Sequence, residues 1–284
     1  MRTKIVLASF CMSIILTLWL GKITFAQNRA ATDSLVFTEF YSQILKEKRR
    51  LIVHLPLNYA KEPTKKYPVM YVLDGGNQDV HTSDQISVLA KTGLIPECIV
   101  VGVLNTKTSR NRDQTPPFMQ TETDDPKSPF GEADHFLKFL EEEIIPKIDS
   151  NYRINGYKTL TGHSRGGLFV LYSLIKKPSL FDARFCYSTP VWRFDDLMIK
   201  KTIDFLRTQK PKKTFLFLSA GDDETTNIVG GFNRLSLELK NFQKNIAFYN
   251  YLTPLANHQQ NPIVATPKAL YQWGEYLKTN SIKN

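Results

Sequence analysis

Residues 161–167 read TGHSRGG. The five residues Gly162-His163-Ser164-Arg165-Gly166 fit the pattern G-x-S-x-G, which is short enough to arise by chance. Its neighbours decide the reading. YKTLTGHS (157–164) alternates and ends like a strand, and RGGLFVLYSLIKK (165–177) has the apolar body of a helix. A serine between a strand and a helix sits on a sharp corner, where bulky residues two before or two after it would collide and glycine relieves the crowding. The serine oxygen then stands exposed above the sheet. The amide of Arg165 opens the helix, where N–H groups without an intrahelical acceptor can hold an oxyanion. The reading is therefore that Ser164 is a nucleophile, with Gly166 clearing the corner and Gly167 letting the helix approach the sheet.

A serine hydroxyl needs a base. The chain has five histidines, and in a strand–serine–helix architecture the partners follow in the order serine, acid, histidine. Only His258 lies after Ser164, in the loop PLANHQQNP between the last strand and the last helix. His54 reads as a sheet-face residue, His135 as a solvated helix residue, His163 as packing beneath the corner, and His81 as an exposed loop residue. The acid should come from the end of the strand before the histidine. FLFLSAGDDETTN (215–227) offers Asp222, Asp223 and Glu224 there. Glu224, three residues past Gly221, is favoured, and Asp223 is next. A second oxyanion donor is expected from DGGNQ (74–78), as the backbone amide of Gly76 or Asn77 with Gly75 shaping the turn.

Working outward, eight strand-like runs alternate with helices. DSLVFTEFYSQI and RRLIVHLP read as an early antiparallel pair. YPVMYVLDGG, CIVVGVLN, YKTLTGHS, ARFCYSTP, KTFLFLSAGDD and NIAFYNYL follow. Helical spacing marks GEADHFLKFLEEEIIPKI, broken by Pro146, then GFNRLSLELKNFQ and PIVATPKALYQWGEYLKT. Continuous apolar strands separated by helices imply an α/β fold: a mostly parallel central sheet of about eight strands, covered on both faces. Ligands of such sheets gather at the carboxyl ends of the strands, where every candidate above falls.

The first residues stand apart. A basic start (MRTK), an apolar run (IVLASFCMSIILTLWL) and small residues at Thr24 and Ala26 read as a signal peptide over 1–26, cleaved after Ala26. A single domain over 27–284 is expected, periplasmic or secreted, with no stable membrane insertion once the signal is cut. Cleavage removes Arg2, Lys4 and Lys22 and no acid, so the formal charge of +10 falls by three. The remaining basic clusters (KEKRR, KEPTKK, KPKK) are scattered and lack an aromatic-basic array, which argues against nucleic acid. No HExxH, CxxC or P-loop is present, so neither a metal nor a cofactor is expected. Cys98 and Cys186 lie in strand-like runs and read as buried free thiols.

Taken together, these segments resemble the esterase D-like serine-esterase branch of the α/β-hydrolases, which includes siderophore, feruloyl and acetyl esterases and mycolyltransferases. The likeness runs over roughly residues 34–278. It is carried by LIVHLPLNYAKEPTKKYPVMYVLDGG, IVVGVLNTKTSRNRDQTPP, GHSRGGLFVLYSL, CYSTPVWRFDD and NHQQNPIVATPKALYQWGEYL. The resemblance implies Ser164 as nucleophile and His258 as base, with hydrolysis of a small-molecule or glycan ester through an acyl-enzyme. It places Arg110, Arg112 and Asp113 in a loop at the rim of the site. Those arginines either bind a carboxylate or phenolate or pin their own loop through salt bridges. Trp192 matches a family tryptophan of the acyl pocket, whereas Arg193 stands where a second aromatic is expected. A siderophore-type ester leads among substrates, with carbohydrate (feruloyl or acetyl) esters next. An acyltransferase on the same triad and a non-catalytic surface-binding module are the rival readings.

Overall fold

The strand YPVMYVL shows how this chain folds. Tyr67, Val69, Tyr71 and Leu73 enter one apolar cluster, Met70 and Val72 enter another, and all are buried. A side-chain period of two then puts both faces of this strand (β3, Tyr67–Leu73) under helices. Each such fully buried side chain contributes about 1.5–3 kcal/mol of transfer free energy.

The protein was analysed as a computed structural model that describes residues 35–119, 131–209 and 214–280. The stretch 1–26, on which the signal-peptide reading rests, lies outside the described residues. Besides β3, the strands are β1 (Leu35–Ser42), β2 (Glu47–His54), β4 (Ile99–Val103), β5 (Ile154–His163), β6 (Ala183–Tyr187), β7 (Thr214–Gly221) and β8 (Ile246–Thr253). They form one eight-stranded sheet in the order β1-β2-β4-β3-β5-β6-β7-β8. β1, β2 and β4 pair antiparallel, and every later pairing is parallel. The mostly parallel sheet of about eight strands expected from the alternation is observed, in the α/β-hydrolase arrangement that the resemblance implied.

Helices cover both faces. On one side lie α3 (Ala133–Phe139), α5 (Arg165–Lys176), α6 (Arg193–Thr208) and α7 (Thr226–Leu239), packed around Phe136, Phe169, Ile199 and Leu235. On the other, α1 (Gln78–Lys91) packs against α8 (Asn261–Thr279), and Ile86 and Trp273 fill the cluster there. Cys98 and Cys186 are buried and free. Among the described residues no helix is long and apolar enough to cross a membrane.

Three local readings change. Pro146 does not break its helix. A wide turn over Leu140–Ile144 joins α3 to α4 (Ile145–Asn151), placing Pro146 in the first turn of α4, where its missing N–H does no harm. Helices α1, α2 (Ser109–Gln114) and α6 are additions to the sequence reading. α1 buries Asp79 and Thr82 beside Ile86, so its inner face carries little hydrophobic signal. α6 is entered through three left-handed residues, Phe194, Asp195 and Asp196, and its start lacks a capping signature. His81 is a half-buried residue of α1 rather than an exposed loop residue, with Nε2 3.0 Å from Gln78 Oε1.

Candidate active site

β5 ends at His163 and α5 begins at Arg165, so Ser164 alone makes the corner. Its φ is 56° and ψ −119°, a strained left-handed geometry that a non-glycine residue keeps only where its surroundings impose it. The Ser164 amide donates to Tyr187 O at 2.8 Å, and Leu168 N–H donates to Ser164 O at 3.2 Å. A Cβ on Gly162 would lie 2.5 Å from the carbonyl group of Gly166, so this glycine is sterically required. Gly166 itself would meet nothing nearer than 3.5 Å, so the clearing role falls to Gly162. A Cβ on Gly167 would strike Thr189 Oγ1 at 2.1 Å. Its contact is therefore the loop after β6 rather than the sheet.

His258 follows β8 and comes over the carboxyl end of β7. Its Nδ1 lies 2.5 Å from Glu224 Oε2, and the Glu224 side chain is 1% exposed. Glu224 Oε1 accepts from Ser188 Oγ and from Gly221 N–H, each at 2.7 Å. Burial raises the pKa of this carboxyl, but the hydrogen bonds from His258, Gly221 and Ser188 outweigh it and hold Glu224 below the ordinary value. Ionised Glu224 fixes the tautomer in which His258 Nδ1 carries the proton and Nε2 is left as a base. Asp222 is used elsewhere, accepting from Leu255 N–H at 2.6 Å, and Asp223 is exposed. The structure therefore brings Glu224 against His258 and leaves the other two acids aside.

His163 packs against His258. Its ring centroid is 4.6 Å from that of His258, and its Nε2 lies 2.8 Å from His258 O. With burial and the His258 charge acting together, its pKa drops to about 4. It is thus neutral at ordinary pH, with Nε2–H donating.

Two cavities meet at the serine. One, of about 330 Å³, is walled by Arg110, Arg165, Trp192, Arg193 and Ile228. The other, of about 350 Å³, is walled by Asn77, Gln78, Asn105, Arg110 and Gln259. Ser164 and His258 line both. Among the described residues Ser164 Oγ has no hydrogen-bond partner, and Ser164 opens onto both cavities.

The turn after β3 is locked almost throughout. Asp74 takes φ 58° and Gly76 φ 93°. Gly75 N–H donates to Val103 O at 3.0 Å, and Gly76 N–H donates to Asp79 Oδ1 at 2.7 Å. This removes Gly76 from the two oxyanion candidates, because its amide is already bound. Asn77 N–H has no partner among the described residues, and Asn77 lines the polar cavity.

The two rim arginines part company. Arg110 is held by Asp74 through Nε to Oδ1 (2.9 Å) and Nη2 to Oδ2 (2.8 Å), and it faces both cavities. Burial raises the pKa of Asp74, but Arg110, Gln114 and Asn105 more than reverse this. Arg112 instead binds Glu47 Oε1 at 2.6 Å and Asp113 Oδ1 at 2.8 Å, in a network with buried Arg49, and lines neither cavity. Of the two roles open to it, substrate contact or salt bridges that pin the loop, Arg112 takes the second. Trp192 lines the first cavity, with the guanidinium of Arg193 5.2 Å from its ring centroid and its Nε1–H without a partner among the described residues. Ser188 and Asn261 also belong to the site and escaped notice in the sequence, since isolated polar residues at strand and helix ends carry no periodic signal.

The Esterase family, described as "Putative esterase", matches residues 42–227. The chain belongs to this esterase family. It is similar to the ferri-bacillibactin esterase BesA of Bacillus subtilis, at 32% identity over 63% of this chain and 67% of that one. It is also similar to the apo-salmochelin esterase of Escherichia coli, at 27% identity over 62% of this chain and 59% of that one. Among solved structures, the IroE-like serine hydrolase from Shewanella oneidensis matches with a TM-score of 0.76 at 26% identity, covering 88% of this chain and 82% of that one. The protein is a carboxylic-ester hydrolase of the serine-esterase type.

Proposed function

We propose that Ser164, His258 and Glu224 are the catalytic triad of this esterase, and that it acts outside the cytoplasm on a siderophore-type ester. The observation that carries the triad is the 2.5 Å contact between His258 Nδ1 and Glu224 Oε2, with His258 and Ser164 opening onto the same cavities. His258 Nε2 takes the Ser164 proton as Oγ attacks the ester carbonyl. The oxyanion is held by the amides of Arg165 and Asn77. Collapse expels the alcohol, which takes the proton back from His258, and water repeats the cycle on the acyl-enzyme.

The substrate class is supported by the cavity wall and by the relatives. Arg110 and Arg193 bring guanidinium groups beside the Trp192 ring, a combination suited to a phenolate or carboxylate joined to an aromatic acyl group. The Bacillus subtilis and Escherichia coli relatives are named as esterases of ferri-bacillibactin and apo-salmochelin, and relatives from Aspergillus fumigatus and Emericella nidulans are named as siderophore esterases. The position outside the cytoplasm rests on the signal-like residues 1–26.

The test compares kcat/KM on a catechol-bearing oligoester siderophore, a feruloyl sugar ester and p-nitrophenyl acetate. The siderophore ester should lead by about tenfold or more, roughly what 1.4 kcal/mol of selective transition-state binding provides. A lead for the feruloyl ester would move the assignment to carbohydrate esters. The mass of the exported protein tests cleavage after Ala26.

A further inference from the structure

We infer that Asp79 is a positioning residue for the oxyanion hole, clamping Gly76 so that the neighbouring Asn77 amide faces the reacting carbonyl. The inference rests on the proposed role of Asn77.

The geometry is a lock between three elements. Asp79 stands in the first turn of α1 and is 0% exposed. Its Oδ1 accepts Gly76 N–H at 2.7 Å, and its Oδ2 lies 2.7 Å from His54 Nε2, which projects from β2. β4 makes the space. A Cβ on Gly102 would lie 2.6 Å from Asp79 Oδ2, so any side chain there would displace the carboxylate. Burial raises the pKa of Asp79, and the bonds from His54 and Gly76 bring it below the ordinary value. It is therefore an anion in a dry place.

A carboxylate that served only to complete the helix start would do so at the surface, without the cost of burying a charge. Here the buried anion fixes one particular peptide. Gly75 N–H is bound to Val103 O, and Gln78 N–H reaches Asp74 O at 3.4 Å. With Gly76 N–H on Asp79, the amide of this turn left without a partner among the described residues is that of Asn77, a residue that lines the polar cavity. Asp74 holds a left-handed φ that costs a non-glycine residue energy, whereas Gly76 takes φ 93° freely and so needs a partner to fix it there. Without it, Gly76 can rotate through its wide allowed range and carry the Asn77 N–H away. A displacement of about 1 Å at such a group costs on the order of 10²-fold in rate.

The test uses Asp79→Ala and Asp79→Asn in the full-length protein. Rates are expressed per Ser164 titrated with a fluorophosphonate, which separates misfolding from mispositioning. Asp79→Ala should lower kcat about 10- to 100-fold with KM within about threefold. Affinity for a trifluoromethyl ketone, which forms a tetrahedral adduct, should fall in step with kcat. Asp79→Asn keeps an oxygen for Gly76 N–H and an N–H for the other tautomer of His54, and should return kcat to within about fivefold of wild type. Where Asp79→Ala yields no folded protein, Asp79→Ser, too short to reach Gly76, carries the same expectation. Wild-type kcat per titrated site in the Ala or Ser variant overturns the inference. So does a loss carried by KM, or an Asn variant as impaired as the Ala variant. None of these results touches the assignment of Ser164, which fails only if Ser164→Ala retains activity.

Discussion

Replacing His163 by glutamine should alter how the stability of this protein depends on pH. His163 is 6% exposed. The titratable and charged groups that face it are His258 from the loop before α8, Asp74 from the turn after β3, and Arg110 from α2. Burial and His258 together lower its pKa from 6.5 to about 4. Between those two values the unfolded chain binds a proton that the folded chain excludes. Folding therefore loses stability as pH falls through about 6.5, and the loss levels off below about 4. The integrated penalty is negligible at about pH 7.5 and reaches about 2.5 kcal/mol at about pH 4.5. The amide introduced by His163→Gln would keep an N–H for the carbonyl of His258 but has nothing to titrate. Urea denaturation of both proteins at these two pH values isolates the effect, because carboxylates common to both cancel in the difference. The variant should gain about 2.5 kcal/mol relative to wild type on going from the higher pH to the lower. A gap that stays constant within about 0.5 kcal/mol, or one that moves the other way, would refute the buried neutral histidine.

Two further outcomes follow from the site. Glu224→Ala should lower kcat by about 10³- to 10⁴-fold, because His258 loses the partner of its Nδ1 proton; Asp223→Asn should stay within about threefold, and steady-state hydrolysis of a p-nitrophenyl ester separates the two. Gly162→Ala should destabilise the fold by about 2 kcal/mol or more, since its Cβ would lie 2.5 Å from the Gly166 carbonyl. Gly166→Ala, with its nearest neighbour 3.5 Å away, should stay within about 1 kcal/mol, as thermal denaturation will report.

Much of the architecture was legible because strands such as β3, buried on both faces, write themselves as unbroken apolar runs. The corner at Ser164 was legible for a related reason: small residues are spaced around a polar one, with a strand on one side and a helix on the other. What stayed hidden is polar. α1 turns Asp79 and Thr82 inward, so its amphipathic signal is weak, and the carboxylate that locks Gly76 cannot be told from a surface acid. Asn261 donates to Ser188, 73 residues away, and Ser188 donates in turn to Glu224, a chain only the folded sheet creates. The two rim arginines look alike in RNRD. Their difference arises because Asp74 turns Arg110 toward the cavities while Glu47 and Asp113 hold Arg112 away from them.

The central claim is that ester hydrolysis runs through Ser164. It is tested most directly by measuring kcat/KM of wild type and Ser164→Ala on one p-nitrophenyl ester, with mass spectrometry of the fluorophosphonate-labelled wild-type protein. The expected result is a fall of about 10⁴- to 10⁶-fold in the variant and a single adduct on the peptide bearing Ser164. Turnover by the variant within about tenfold of wild type, or an adduct on another serine, would contradict it.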